Sequence, residues 1–187
     1  MVVKEIGTPE ATRFREDINR RIAGQVEKCY QCGKCSAGCP IANEMDLMPN
    51  QVIRLVQLGL KDRATHCRAI WLCASCITCT TRCPQEVEIA SVMEALRHVA
   101  IEEGIQPPPE VRHTATFTEV FLRSVRRHGR TFEPGMVMGF NLRSRQPMKD
   151  ADKGPKMFLK GKLSLLPHRL KDRDKVRRIF QRLVPKL

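Results

Sequence analysis

Eight of the chain's nine cysteines fall into two short runs that have the same spacing. The first run, CYQCGKCSAGCP, covers residues 29–40, and the second, CASCITCTTRCP, covers residues 73–84. In each run three cysteines lie three residues apart, a fourth follows four residues later, and a proline comes next. Because thiolates are ligands for soft metals, this pattern predicts the same metal-binding loop twice, 44 residues apart.

The spacing C-x2-C-x2-C-x3-C-P is that of iron–sulfur loops. The first three cysteines of such a run bind one cluster, and in two-cluster proteins the fourth binds the other cluster. The doubled run therefore predicts two 4Fe-4S clusters with crossed ligation. One cluster is assigned to Cys29, Cys32, Cys35 and Cys83, and the other to Cys73, Cys76, Cys79 and Cys39. This exchange of ligands would hold two redox centres close together, which suits electron transfer.

Structural zinc is the alternative for so many cysteines. Zinc sites use pairs of ligands, and they do not require a third thiolate at this spacing in two separate loops. Cys67 lies outside both runs and is interpreted as a small buried residue, with a role as an alternative ligand or redox thiol as the other possibility. His66, beside it, is expected on the surface or at a helix cap. No Ser/His/Asp set, phosphate-binding loop or paired carboxylates stand out, so the sequence predicts no catalytic site in this chain.

The elements that position the cysteines are predicted to be helices. Apolar residues recur at helical spacing, and no stretch alternates over a convincing length with the period of a strand. Thr8, Pro9 and Gly24 predict the cap, first turn and end of one helix. Further helices are expected between Pro49 and Gly59 and over residues 87–104. The predicted fold class is all-α.

The proline-rich segment QPPPE at 106–110 interrupts the helical pattern. Beyond it, a capping box at 116–119 predicts the start of a helix that runs to residue 129. Glycine and proline predict a loop over residues 129–156. A last helix is expected over about residues 172–183, where Val176 and Ile179 lie at helical spacing.

Charge divides the chain at the same place. Residues 1–110 contain 13 Lys and Arg against 14 Asp and Glu, whereas residues 111–187 contain 20 against 6. The sequence therefore predicts a cluster domain over residues 1–110 and a basic C-terminal extension over residues 111–187 that contacts other subunits. Six phenylalanines are scattered through the extension without the pattern needed for base stacking, so we expect no nucleic-acid partner.

The expected location is cytoplasmic. No apolar run approaches the roughly 20 residues that span a bilayer, and the N-terminal residues lack the apolar region of a secretory signal. Dense cysteine patterns in a reducing compartment serve metal or redox chemistry rather than disulfides.

The doubled run, the segment DLMPNQVIRLVQLG at 46–59 and the segment AIWLCASCITCTTRCP at 69–84 resemble the C subunits of heterodisulfide reductases. The resemblance covers about residues 10–105. It implies an α-helical ferredoxin core around two 4Fe-4S clusters. It also implies a non-catalytic subunit of a hetero-oligomeric complex, which relays electrons from an A-type subunit with flavin and iron–sulfur centres to a B-type subunit that reduces a disulfide.

The same module is similar to iron–sulfur subunits of succinate dehydrogenase, fumarate reductase and anaerobic glycerol-3-phosphate dehydrogenase. The first two usually have a 2Fe-2S domain upstream, whereas only 28 residues precede Cys29. The third has cysteine-rich repeats downstream, whereas no cysteine follows Cys83. Both differences favour the heterodisulfide reductase family. A freely diffusing ferredoxin is a further alternative, although a helical extension would have no evident purpose there.

Overall fold

The computed structural model describes residues 6–22, 24–149, 153–161, 166, 170 and 172–183, and every regular element in these ranges is helical. The predicted all-α fold class is therefore confirmed. The chain divides into two compact units, residues 1–111 and residues 112–187. Among the described residues, no helix is both long and apolar enough to cross a membrane.

The first unit contains both cysteine runs. Its described helices are α1 (Pro9–Ile22), α2 (Lys34–Ala37), α3 (Pro49–Gln57), α4 (Lys61–His66), α5 (Ala69–Leu72), α6 (Thr78–Thr81) and α7 (Ile89–Glu102). Short 3-10 turns cover Val26–Lys28, Ala42–Glu44 and Pro109–Val111.

α7 is the central element of this unit, because α1, α3, α4, α5 and α6 all contact it. The side chains that are almost completely buried include Ile18, Ile53, Ile70, Met93 and Leu96, which come from four helices. Burying one such side chain stabilises a fold by about 1.5–3 kcal/mol, so the core fixes the positions from which the cysteine loops extend.

The predicted ends of the longer helices are confirmed. Thr8 Oγ1 accepts a hydrogen bond from the backbone N–H of Ala11 at 3.2 Å, and α1 ends at Ile22, just before Gly24. Gly59 follows α3 with a φ of +72°, and Gly104 follows α7 with a φ of +73°. Glycine is favoured there because it adopts this left-handed conformation without a steric cost.

The second unit contains α8 (Arg112–His128), α9 (Glu133–Arg143), α10 (Lys153–Leu159) and α11 (Arg173–Leu183), and α8 contacts both α9 and α11. The bounds of α11 confirm the predicted last helix. The rings of Phe117 and Phe140 pack edge to face, with centroids 5.9 Å apart, and join α8 to α9.

Two predictions for this unit are wrong. The helix does not start from a capping box at 116–119. Instead, α8 begins at Arg112, and the Thr116 hydroxyl donates to the Arg112 carbonyl at 2.9 Å, as threonine does inside a helix. The expected loop over residues 129–156 contains α9 and the start of α10, while residues 150–152 lie outside the described residues.

The residues that suggested a loop are compatible with α9. Pro134 lies in the first turn of the helix, where a missing backbone N–H costs nothing. Gly139 faces α8, where an added Cβ would lie 3.4 Å from Val120 Cγ1, which is an ordinary van der Waals contact. Here glycine lies within a helix rather than at a turn.

Candidate cluster site

The two cysteine runs fold in the same way. α2 begins two residues after Cys32, and α6 begins two residues after Cys76. The N–H of Cys39 donates to the Ser36 carbonyl at 3.2 Å, and the N–H of Cys83 donates to the Thr80 carbonyl at 3.1 Å. The sequence repeat is therefore also a repeat of the backbone.

In each run, the first two steps from one cysteine to the next each contain a left-handed residue. In the first run these are Gln31 (φ 63°) and Gly33 (φ 76°), and in the second they are Ser75 (φ 50°) and Ile77 (φ 55°). This conformation costs a non-glycine residue about 1–2 kcal/mol. Strained backbone of this kind is typical of functional sites, and here it produces the same turn in both loops.

A cavity brings together cysteines from both runs. Its lining includes Cys73, Cys76 and Cys79 of the second run and Cys39 of the first. The rest of the lining is mainly apolar and comprises Ile41, Met45, Pro49, Ala74, Thr78, Ala90 and Met93. Four thiols in an apolar cavity are a donor set that fits an iron–sulfur cluster.

Three of the other four cysteines of the runs lie near Tyr30, and the fourth, Cys35, lies near Cys29. Partial desolvation raises the pKa of Tyr30, and the nearby thiols of Cys32, Cys83 and Cys29 raise it further. Burial raises the pKa of Cys35, with a smaller contribution from Cys29. Cys83 of the second run is thus close to cysteines of the first.

Within the described ranges, no three His, Cys, Asp or Glu side chains are placed to bind a single metal ion. A 4Fe-4S cluster takes one thiolate at each of four irons, so its ligands surround a larger group instead of meeting at one atom.

The segments that precede the two fourth cysteines touch each other. Gly38 precedes Cys39, and Arg82 precedes Cys83. A Cβ added at Gly38 would lie 2.7 Å from both Cδ and Nη1 of Arg82, and α2 contacts α6. This contact places the ends of the two runs side by side, as an exchange of fourth ligands requires.

Side chains from neighbouring helices hold the carbonyl of the first cysteine in each run. Gln57 Nε2, at the end of α3, donates to the carbonyls of Cys29 (2.8 Å) and Val26 (2.9 Å). On α7, Arg97 Nη2 donates to the carbonyl of Cys73 (2.9 Å), and its Nε donates to that of Ile70 (2.8 Å). Each loop is therefore anchored to the long helix that follows it.

Two cysteine sulfurs accept hydrogen bonds from the protein. The backbone N–H of Val87 donates to Cys83 Sγ at 3.3 Å, and Gln31 Nε2 donates to Cys29 Sγ at 3.4 Å. The Gln31 amide oxygen accepts in turn from Asn50 Nδ2 at 3.3 Å. Hydrogen bonds to ligand sulfurs are one of the factors that set cluster reduction potentials.

Gln57 and Arg97 were not identified from the sequence. A signal was present for Arg97, which lies one turn after Met93 on the apolar stripe of α7, where a charged side chain needs partners.

Cys67 is buried, with 4% of its surface exposed, and its thiol donates to the Ala64 carbonyl at 3.2 Å. Burial raises the pKa of this thiol to about 11. His66 is exposed, and its Nδ1 lies 2.8 Å from the Asp62 carbonyl oxygen. Both interpretations, a buried Cys67 and a surface His66, are confirmed.

A helical domain with two four-cysteine runs of the same spacing defines a class of protein, the two-cluster iron–sulfur proteins of electron transfer. The family model of the 4Fe-4S dicluster domain matches residues 25–87, and the cofactors are two 4Fe-4S clusters. Outside this domain model, the chain is similar to C subunits of heterodisulfide reductases.

Three relatives illustrate the similarity. The C subunit of the H(2):CoB-CoM heterodisulfide,ferredoxin reductase of Methanothermobacter thermautotrophicus is 35% identical over 51% of this chain and 51% of the relative. The iron–sulfur C subunit of the CoB–CoM heterodisulfide reductase of Methanopyrus kandleri is 37% identical over 42% and 41%. The C subunit of the ferredoxin:CoB-CoM heterodisulfide reductase of Methanosarcina acetivorans is 33% identical over 63% and 47%. The chain spans about half the length of these curated relatives.

Proposed function

We propose that this chain is an electron-transfer subunit in which the eight cysteines of the two runs bind two 4Fe-4S clusters by crossed ligation. One set is Cys29, Cys32, Cys35 and Cys83, and the other is Cys73, Cys76, Cys79 and Cys39. The observation that supports this most strongly is the cavity lined by Cys39 together with Cys73, Cys76 and Cys79. The proximity of Cys83 to Cys29 and Cys32 around Tyr30 supports the complementary set.

The proposed role is a relay between other subunits. When bound, a 4Fe-4S cluster accepts and donates one electron at a time. The chain's own residues hold the ligand loops, through Gln57 and Arg97, and donate hydrogen bonds to the sulfurs, through Gln31 and Val87. Protein residues thus fix where the redox centres lie and contribute to their potentials.

Substrate chemistry is assigned to a partner. Reducing a disulfide takes two electrons, so the partner that binds the disulfide must collect the pair. Cys67, the one cysteine outside the runs, is buried with a raised pKa, and therefore it is a poor nucleophile at neutral pH.

The composition of the proposed complex is inferred from the relatives, which are named as C subunits of heterodisulfide reductases. We assign an A-type subunit with flavin and iron–sulfur centres as the donor and a B-type subunit as the acceptor. The basic second unit is assigned to contacts with these other subunits. We expect no nucleic-acid partner and a cytoplasmic location.

Anaerobic purification of the full chain tests this function. We expect about eight iron and eight acid-labile sulfide per chain, and reduction by dithionite that gives cubane signals in electron paramagnetic resonance. The isolated chain should reduce no disulfide until the A-type and B-type subunits are added. Four iron per chain, or steady disulfide turnover by the single chain, would contradict the proposal.

A further inference from the structure

The second unit has a groove between α8 and α11 that is lined by arginines. Its lining consists of Arg123, Arg126, Arg127, Arg173 and Arg177, which we call the arginine groove. The end of α8 lies close to the start of α11. A Cβ added at Gly129 would lie 3.2 Å from Leu170 Cδ1 and 3.5 Å from Arg173 Cα. The groove is therefore a product of helix packing within this unit.

Among the residues that the structure describes, most arginines of the arginine groove have no ion-pair partner. Arg123 forms an ion pair with Glu119 at 2.8 Å. Arg126, Arg127, Arg173 and Arg177 form no ion pair with any carboxylate of the described ranges. Like charges held in one groove repel each other, and an anionic partner would relieve this repulsion.

Apolar side chains are also exposed on this unit. On α9, Val137, Met138 and Leu142 are 47%, 63% and 62% exposed, and on α11 Ile179 is 54% exposed. In contrast, the buried side chains of this unit, among the residues that the structure describes, are Val120, Ser124 and Asn141. A surface that exposes both aliphatic residues and arginines is typical of protein–protein interfaces, where methionine and arginine are both enriched.

We propose that the arginine groove is the docking surface for an acidic protein segment of a partner subunit, a proposal that rests on the subunit role proposed above. Carboxylates of the partner pair with Arg126, Arg127, Arg173 and Arg177. A guanidinium can bind a carboxylate through two parallel hydrogen bonds, which gives direction as well as charge attraction.

The exposed apolar residues favour a protein over nucleic acid. Protein–DNA interfaces are polar and consist largely of phosphate contacts, which would leave Met138, Leu142 and Ile179 exposed. A protein partner can offer both kinds of contact, with carboxylates for the arginine groove and apolar surface for the exposed aliphatic side chains.

The test compares two variants of the full holoprotein that carry the same net charge. The groove variant combines Arg126→Gln, Arg127→Gln, Arg173→Gln and Arg177→Gln. The control variant combines Arg112→Gln, Arg130→Gln, Arg145→Gln and Lys149→Gln, four exposed positions outside the groove lining. Iron content and helical circular dichroism establish that both variants fold and bind their clusters.

Affinity is then measured for the A-type and B-type subunits at two salt concentrations, with 20-base-pair duplex DNA and vesicles of phosphatidylserine and phosphatidylcholine as further probes. We expect the groove variant to bind a subunit about a hundredfold more weakly and the control variant to stay within about threefold of wild type. Higher salt should weaken wild-type binding and have little effect on the groove variant.

Several results would overturn the proposal. Equal losses of subunit affinity in both variants would show that binding depends only on net charge. Unchanged subunit binding by the groove variant would show that the arginine groove is not the docking surface. Loss of DNA or vesicle binding in the groove variant alone, with subunit binding intact, would assign the groove to that ligand instead. A wild-type holoprotein that carries two clusters but binds neither subunit would refute both the complex proposed above and this docking surface.

Discussion

Arg97 should hold one cluster loop in place without influencing the other. Its guanidinium donates to the carbonyls of Cys73 and Ile70 at 2.9 and 2.8 Å from a half-buried position on α7. Hydrogen bonds from a charged group contribute about 1.5–3 kcal/mol each, and partial exposure reduces this. Arg97→Met keeps most of the side-chain volume. For this variant we therefore expect the free energy that holds the second loop closed to fall by about 2–3 kcal/mol.

That loss corresponds to a roughly 30- to 150-fold larger population of the open loop, at about 1.4 kcal/mol per tenfold change. The holoprotein is exposed anaerobically to an iron chelator and iodoacetamide, and mass spectrometry follows the alkylation of each cysteine. Because ligand cysteines react only after the loop opens, their alkylation rate reports this population when reclosing is fast.

We expect Arg97→Met to speed alkylation of Cys73, Cys76, Cys79 and Cys39 about 30- to 150-fold, while Cys29, Cys32, Cys35 and Cys83 change little. The matched control is Gln57→Leu, which removes neutral hydrogen bonds to Cys29 and Val26. Neutral bonds contribute about 0.5–1.5 kcal/mol each, so the loss of both removes about 1–3 kcal/mol; this variant should speed alkylation of the first set about 5- to 140-fold and spare the second. Equal acceleration of all eight cysteines by either variant would refute separate anchoring.

Two further predictions concern the first unit. Gly59→Ala should lower the free energy of unfolding by about 2–4 kcal/mol, because the added Cβ would lie 2.3 Å from Ala11 Cβ and 2.5 Å from Ala11 Cα. The control is Gly104→Ala, which has nearly the same φ but open space around the added Cβ, and it should lower the free energy of unfolding by only about 1 kcal/mol. Equal urea midpoints for the two holoprotein variants would contradict this close approach of α1. Cys67 has a pKa of about 11, so at pH 8 only about one thiol in a thousand is ionised and alkylation of the native chain should be slow. The pKa of Cys67 in the folded chain lies above the ordinary value for a thiol, so burial of the neutral thiol contributes stability only while the pH is low. The free energy of unfolding should therefore fall as the pH rises from about 9 to 11, and Cys67→Ala should remove this pH dependence.

Local chemistry explains which parts of the fold could be predicted. The spacing of the two runs predicted both clusters, and the cavity that joins Cys39 to the second run agrees with the proposed crossing. Thr8, Gly59 and Gly104 predicted helix ends because capping and a positive φ are requirements of single residues. Each of these signals lies within a few positions of the feature that it determines.

The remaining features depend on distant partners. Ser75 and Ile77 adopt left-handed conformations that their residue types disfavour, and the repeated loop geometry imposes these conformations. Pro134 and Gly139 suggested a loop, yet both lie inside α9, which packs against α8. The anchoring role of Gln57 is visible only once α3 lies beside the first cysteine loop.

The most direct test of the central claim is the alkylation pattern of the Cys39→Ser holoprotein. Crossed ligation predicts that Cys73, Cys76 and Cys79 lose their protection, whereas Cys29, Cys32, Cys35 and Cys83 remain protected. The matched variant Cys67→Ser should leave all eight ligands protected. If Cys39→Ser instead exposed Cys29, Cys32 and Cys35 and left the second run protected, each run would bind its own cluster, and crossed ligation would be wrong.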